Sequence, residues 1–380
     1  MTLGTKPDCI ALLFEYATLN GGERSMLACL DWWLAHKLSL EFRAIAPPDG
    51  RLAECLRARG VEVVPWITTG PDGIKLPRDE LVDRLQRIVL ELDPDLLHAN
   101  SLSMGRFTGA VAGRLPIPTT AHLRDIINVS QSALDDLNRN RLLMAVSHAT
   151  RDAHVTRGLD ATRVVVVHNG LDLTRFRPRP KSGWLHRELR LPSDARLIAT
   201  VGQIGLRKGQ NILAQAAPII VSQQSETHFL IVGERSSQKE ESVLFEQGIA
   251  QRFEEHGLKN RLHFLGYRDD IPGLLAEVDL LVHPANQEPF GRVLLEASAC
   301  GVPVIATDVG GTSEIIADRV TGRLIPPRDA EALAAVVIEL LSKDELRQTF
   351  GNAAHQRAQQ MFGVERCARR TLDYWLELLG

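Results

Sequence analysis

Residues 278–306 constrain the fold of this chain more than any other stretch. Val278-Asp279-Leu280-Leu281-Val282-His283 is a short apolar run of the length and pattern of a buried strand. Pro289 sits where a loop should end, because its fixed φ suits the entry to a helix. From Gly291 the spacing turns helical, with Val293, Leu294, Ala297, Ala299 and Cys300 on the buried side. Gly301 then stops the helix, and Val302-Pro303-Val304-Ile305-Ala306 opens another strand. The unit is therefore strand, loop, helix, strand, with Glu288 before the helix and Glu296 inside it.

These two carboxylates are too far apart for an acid–base dyad. On one helix, eight steps separate them by ~12 Å and rotate them by roughly 80°. They suit the two ends of an elongated ligand instead. The helix start between them should present backbone N–H groups at Phe290, Gly291 and Arg292 to an anion. A carboxylate, an anion cradle and a second carboxylate match a sugar, a diphosphate and a ribose. The same spacing is also that of an ordinary helix with a capping acid at Glu288 and a solvated Glu296, and spacing alone does not choose. The arrangement resembles the E-x7-E motif of retaining glycosyltransferases of family 4, the group 1 type with the GT-B fold. The resemblance implies that Glu288 meets the donor sugar and Glu296 the nucleotide ribose.

The remaining chain supports an α/β architecture. Apolar runs at residues 9–14, 41–46, 61–65, 96–98, 117–121, 142–146 and 163–167 alternate with helical patterns. This is the signature of a doubly wound parallel sheet. Further runs at 196–201, 227–232 and 261–265 begin a second sheet after an Arg- and Pro-rich segment, 174–183, that reads as a linker. Helical patterns at 330–341, 345–361 and 364–379 close the chain. The resemblance implies two Rossmann-like domains facing a central cleft. Residues 1–175 would bind acceptor and 176–362 the donor, while 363–380 form a helix returning to the first domain.

Ligands of such sheets collect beyond the carboxyl ends of the strands. His98, Asn100, Ser101, His122, Arg124 and Asp125 all follow predicted strands and fall at that edge. Asp93-Pro94-Asp95 has the look of a D-x-D metal motif but precedes its strand, so it reads as a turn. His122 resembles the strand-end histidine that family members place beside the reacting sugar. There it would hydrogen-bond a hydroxyl or accept a proton, and a purely structural role is the alternative. Asn20-Gly21-Gly22-Glu23, at a strand-to-helix turn, resembles the G-G-A-E loop set against the donor phosphates. Gly21 and Gly22 would allow close approach to the ligand, with Asn20 chosen for its tolerance of φ > 0.

Gly202-Gln203-Ile204-Gly205-Leu206-Arg207-Lys208-Gly209 resembles the family's G-R-x-x-x-x-K-G segment, whose cations neutralise the diphosphate leaving group. Lys208 matches the family lysine. Gln203 stands where the family has arginine, and Arg207 is the adjacent candidate to supply the missing charge. The resemblance implies catalysis without a metal or other cofactor, from a UDP-, GDP- or ADP-sugar donor. The acceptor would be a glycan, a lipid-linked sugar or a small molecule. A non-catalytic nucleotide-sugar binder and an epimerase of the same architecture are the competing readings.

Bulk properties agree with this class. At 380 residues the chain has room for two domains, and 44% hydrophobic with 24% charged residues is ordinary for a globular protein. A net charge of −3 offers no case for nucleic acid. Five scattered cysteines argue for free thiols in a reducing compartment. Neither a signal peptide nor a run of ~20 apolar residues is apparent, so the expected location is cytoplasmic. Trp32-Trp33 would suit a peripheral contact with the inner membrane face, but the sparse cations nearby favour burial of at least one indole.

Overall fold

The computed structural model describes residues 7–235 and 237–380. It divides into two compact units, Met1–Gly170 with Val364–Gly380, and Leu171–Gly363.

The first unit carries β1 (Asp8–Leu13), β2 (Leu40–Ala46), β3 (Glu62–Pro65), β4 (Leu96–Ala99), β5 (Thr119–Leu123), β6 (Leu142–Ala145) and β7 (Val164–Val166). All neighbours pair in parallel, in the order β3-β2-β1-β4-β5-β6-β7. Strand side chains alternate faces, so each face of β1 feeds its own core. Ile10 and Leu12 join Trp33 and Trp375 on one side, while Ala11 and Leu13 join Leu85 and Leu97 on the other. The helix Val364–Leu379 belongs to this unit. Its Trp375 ring lies 5.0 Å from that of Trp33, whose Nε1 donates to Ala368 O at 3.0 Å. Trp33 is thus buried, as its sequence context suggested, and Trp32 lies at the margin of the same core.

The second unit carries β8 (Arg196–Val201), β9 (Thr227–Val232), β10 (Leu262–Gly266), β11 (Leu280–His283), β12 (Val304–Thr307) and β13 (Gly322–Ile325). Their order is β10-β9-β8-β11-β12-β13, again all parallel. Ile198, Phe229, Leu280, Val282 and Ile305 meet the helices Gln210–Gln223 and Ala330–Ser342 in one core.

Several local expectations change. Residues 174–183 fold as part of the second unit. Ser182 N and Gly183 N donate to the two oxygens of buried Glu277, each at 2.8 Å, and Lys181 Nζ donates to Asp279 Oδ1 at 2.8 Å. Polar anchoring explains why the segment has no apolar period. The fifth strand runs two residues later than the sequence pattern, because Pro116 and Pro118 cannot donate to a ladder. His122 therefore lies inside β5. Asp95 is spent on structure, its Oδ2 accepting from Cys9 N at 2.7 Å, and Asp93 caps a helix at φ 46°. All five cysteines are free thiols; Cys29 and Cys367 lie with their sulfurs 3.6 Å apart.

Candidate functional site

In an open α/β sheet the crevice lies where strand order reverses. In the second unit that point is between β8 and β11, and the two loops leaving these strands carry Gln203, Arg207, Lys208, Glu288, Phe290 and Gly291. Asn286 zips the loops together. Its N donates to Arg207 O at 2.9 Å and its Nδ2 to Leu206 O at 2.7 Å. Gly209, at φ 67°, lets them approach, because a Cβ there would sit 2.0 Å from Pro284 O.

This zipping brings Lys208 and Glu288, 80 positions apart, into contact. Lys208 Nζ donates to Glu288 Oε2 at 2.5 Å. The same oxygen lies 2.8 Å from Nε2 of His283, the last residue of β11. Burial alone would raise the Glu288 carboxyl, but the Lys208 charge and the His283 hydrogen bond outweigh it and hold it well below the usual carboxylate range. Burial, followed by the Lys208 charge, pushes His283 below its ordinary value, so it is neutral and donates from Nε2. Glu288 is fixed at its other end too, its carbonyl accepting from Gly311 N at 3.0 Å. The result is a carboxylate held ionised near neutral pH and tethered at both its side chain and its carbonyl. It cannot act as a proton donor near neutral pH, but it can accept from hydroxyls or face a developing positive charge.

The helix of the opening motif starts at Arg292, so Glu288 lies outside it and the one-helix geometry estimated for the pair does not apply. Gly291 caps it at φ 102°, where a Cβ would meet Leu294 Cδ1 at 2.6 Å. The Phe290 side chain is core, edge-on to Phe362 at 5.9 Å. Arg292 Nε donates to Glu296 Oε1 at 2.8 Å, one helical turn on. Glu296 is nearly buried, and its charge, after burial itself, helps push the Cys300 thiol up to about 12. Arg207 and Gln203 are exposed and line a shallow pocket with Lys208, Glu241 and Phe245. Arg207 makes no side-chain ion pair among the described residues.

The first unit presents a second group at the ends of β1, β4 and β5. The guanidinium of Arg124 donates to Asn100 O and Asn100 Oδ1, each at 2.9 Å, and to Asn169 Oδ1 at 2.7 Å. Its side chain lies against Gly22, where a Cβ would meet Arg124 Cδ at 2.8 Å. That close approach accounts for this glycine. Gly21 opens the helix Gly21–Ala35, and Asn20 precedes it at φ −80°, its N donating to Glu23 Oε2 at 3.1 Å. Asn20 is thus an N-cap residue, not the φ > 0 position its sequence context suggested. His122 is buried in β5, its Nδ1 2.7 Å from His98 Nε2. His283 was not singled out from sequence. The available signal was a polar residue ending an otherwise apolar strand at the mouth of the motif.

Two sheets of this topology, with these loops at a switch point, define a nucleotide-binding α/β protein of the GT-B type. Comparison with known proteins gives the family. Residues 184–357 match the family described as Glycosyl transferases group 1, and residues 20–175 match Glycosyltransferase Family 4. The chain belongs to the group 1 glycosyltransferases of GT-B fold. It is 29% identical over 283 residues to a D-inositol 3-phosphate glycosyltransferase of Mycolicibacterium gilvum, covering 70% of this chain and 62% of that relative. The gpi3 subunit of a phosphatidylinositol N-acetylglucosaminyltransferase of Schizosaccharomyces pombe is 28% identical, with 63% of this chain and 48% of that protein covered. Both matches thus span less than two thirds of the relatives' lengths. Among solved structures, Anabaena HepE in complex with UDP-glucose superposes with a TM-score of 0.83 at 26% identity, over 97% of this chain and 100% of that one. WaaG, a glycosyltransferase involved in lipopolysaccharide biosynthesis, shares the fold at a TM-score of 0.74 and 20% identity, over 96% of this chain and 99% of that one.

Proposed function

We propose that this protein is a retaining, metal-independent glycosyltransferase that moves a hexose from a nucleotide-diphosphate sugar to a hydroxyl of a glycan, lipid-linked or small-molecule acceptor. The observation that carries the reading is the Lys208–Glu288–His283 cluster at the switch point. Lys208 serves the diphosphate, whose leaving oxygen gains charge as the glycosidic bond breaks. Arg207, on the same loop, adds the second cation. Glu288, held ionised, faces the sugar and favours the positive charge that grows at the anomeric carbon. Glu296, braced by Arg292, takes the ribose hydroxyls, and the helix start at Gly291 adds its dipole. In the first unit, His122 and the Gly21-Gly22 turn serve the sugar and phosphates.

The donor is a UDP-, GDP- or ADP-sugar, and UDP-glucose is the first to test, since that ligand is bound in the HepE complex. No described helix is long and apolar enough to cross a membrane. A cytoplasmic site of action, with the acceptor reached at the inner membrane face where it is lipid-linked, follows from a soluble donor.

The test is turnover on a panel of nucleotide sugars with mixed acceptors, run with and without EDTA, reading nucleotide diphosphate release and the anomeric configuration of the product. Release with retained configuration, unchanged by EDTA, is expected. Inversion, or activity lost in EDTA and restored by Mn²⁺, overturns the mechanism. Tight donor binding with no turnover on any acceptor favours the binder reading that Gln203 raises.

A further inference from the structure

The parallel register of β4 and β5 sets His98 opposite Thr120, and His122 lies two residues further along the same face of β5. These three buried side chains form a continuous hydrogen-bonded row. Thr120 Oγ1 lies 2.7 Å from His98 Nδ1, and His98 Nε2 lies 2.7 Å from His122 Nδ1. We propose that Thr120 and His98 are positioning residues that hold His122 in its Nε2–H tautomer, making it a hydrogen-bond donor to a ligand oxygen and not a base.

The polarity of the row follows from counting hydrogens. A neutral imidazole carries one N–H, so each ring must donate from one nitrogen and accept at the other. Among the described residues, His98 Nδ1 is the partner that Thr120 Oγ1 has. If the hydroxyl donates to Nδ1, His98 must donate from Nε2 to His122 Nδ1, and His122 must carry its hydrogen on Nε2. Each hydrogen between the three side chains then has an acceptor, and the terminal Nε2–H of His122 is the one left to a ligand. The reverse polarity would leave the Thr120 hydroxyl hydrogen buried and unpaired, which proteins rarely tolerate.

Two further features keep the row in this state. Trp375, on the C-terminal helix, packs against the His98 ring at 5.1 Å with the planes inclined by 63°, which restrains its rotation. Burial, and after it the neighbouring Arg124 charge, push both imidazoles down, His98 to about 3, so neither takes a second proton near neutral pH. Nε2 of His122 is the ring atom left to a ligand. A fixed N–H there suits a hydroxyl or carbonyl oxygen and disfavours an ammonium group. That the ligand is the transferred sugar rests on the function proposed above; the tautomer does not.

The decisive measurement is a long-range ¹H–¹⁵N correlation spectrum of the full chain labelled with ¹⁵N-histidine. His122 should show a protonated Nε2 and a bare Nδ1, unchanged between about pH 8 and pH 6. A protonated Nδ1, or titration of His122 within that range, overturns the proposal whatever the enzyme does. Thr120→Val should release the lock and give mixed tautomers at His122; a single Nε2–H tautomer in that variant would remove Thr120 from the row. His98→Gln, whose amide can still donate from the Nε2 position, should keep both tautomer and turnover. His98→Phe should lower kcat by roughly 10- to 100-fold, the penalty of one mispaired buried donor. Equal loss in His98→Gln and His98→Phe would mean that the ring only fills space. An Nε2–H tautomer in a chain that transfers no sugar would sink the proposed function and leave this inference standing.

Discussion

Breaking the Lys208–Glu288 pair should destabilise the second unit more than most single substitutions. Both groups lie inside the fold, with side-chain exposures of 16% and 7%. At the 2.5 Å separation the attraction is about 6–7 kcal/mol for an effective dielectric of 20, before desolvation of either ion. Much of that offsets desolvation, so the pair contributes little relative to apolar residues of the same shape. Removing one partner is different, because it strands a buried charge at about 3–5 kcal/mol. Lys208→Met should therefore lower the urea-unfolding free energy at pH 7 by that amount, and Glu288→Gln by somewhat less, since Lys208 can turn toward solvent. The double variant should recover part of the loss, with a coupling of roughly 1–3 kcal/mol in a double-mutant cycle. pH gives an independent check. The folded carboxyl is depressed, so its contribution is present above the unfolded value of about 4.3 and fades as pH falls through the folded value. In Lys208→Met burial is no longer opposed by the ammonium, and the gap between variant and parent should shrink below about pH 4. A Lys208→Met variant within about 1 kcal/mol of the parent, with no coupling, would refute the reasoning.

Three further outcomes follow from the geometry. Glu296→Gln should weaken donor binding by about 1–3 kcal/mol in calorimetry, and unchanged affinity would remove Glu296 from the ribose site. Arg207→Ala should impair transfer nearly as much as Lys208→Ala, by ~10²–10³ in rate, if both cations stabilise the leaving diphosphate. A wild-type rate in Arg207→Ala beside a dead Lys208→Ala would end the substitution idea, and Gln203→Arg would then test whether the family charge can be restored. Gly209→Ala combines φ 67° with a Cβ 2.0 Å from Pro284 O, so it should separate the two loops. A loss of about 1–3 kcal/mol in stability is expected, and a variant melting with the parent would contradict the zipped arrangement.

Periodicity made both sheets legible because each strand is a short apolar run closed by Gly, Pro or a polar turn. The limits lay where chemistry replaced periodicity. The 174–183 segment carries no pattern because Glu277 and Asp279 fix it by hydrogen bonds to its backbone and lysine. Glu288 and Lys208 were readable as motif residues, yet their contact was not, since it depends on β8 lying beside β11 and on Asn286 bridging the loops. His283 had the same difficulty, as its partner is set by how the loop turns back. The Arg292–Glu296 pair was available from i,i+4 spacing alone. The Thr120–His98–His122 row was not, because which strands neighbour one another, and in what register, is a property of the assembled sheet.

The charges of the second unit add a constraint on how a donor would be received. Lys208 is neutralised by Glu288, and Arg292 by Glu296, so these four groups sum to zero before any ligand arrives. A nucleotide diphosphate brings about two negative charges to a loop whose remaining cation is Arg207, exposed at its rim. Under the proposed function Lys208 would be shared between phosphate and Glu288, so that one ammonium would serve both the carboxylate and the leaving group. Under the proposed function the sugar's anomeric carbon would lie between Glu288 and the departing oxygen, where charge separation in the transition state would be best matched. The same arrangement would bear on Gln203. If an arginine there bound ground state and transition state alike, the Lys208–Glu288 pair would be left to act on the charge that develops as the bond breaks. On this argument Gln203→Arg should tighten donor binding, in calorimetry at low salt, more than it raises kcat. A gain in kcat equal to the gain in affinity would show that the site lacks a cation for chemistry.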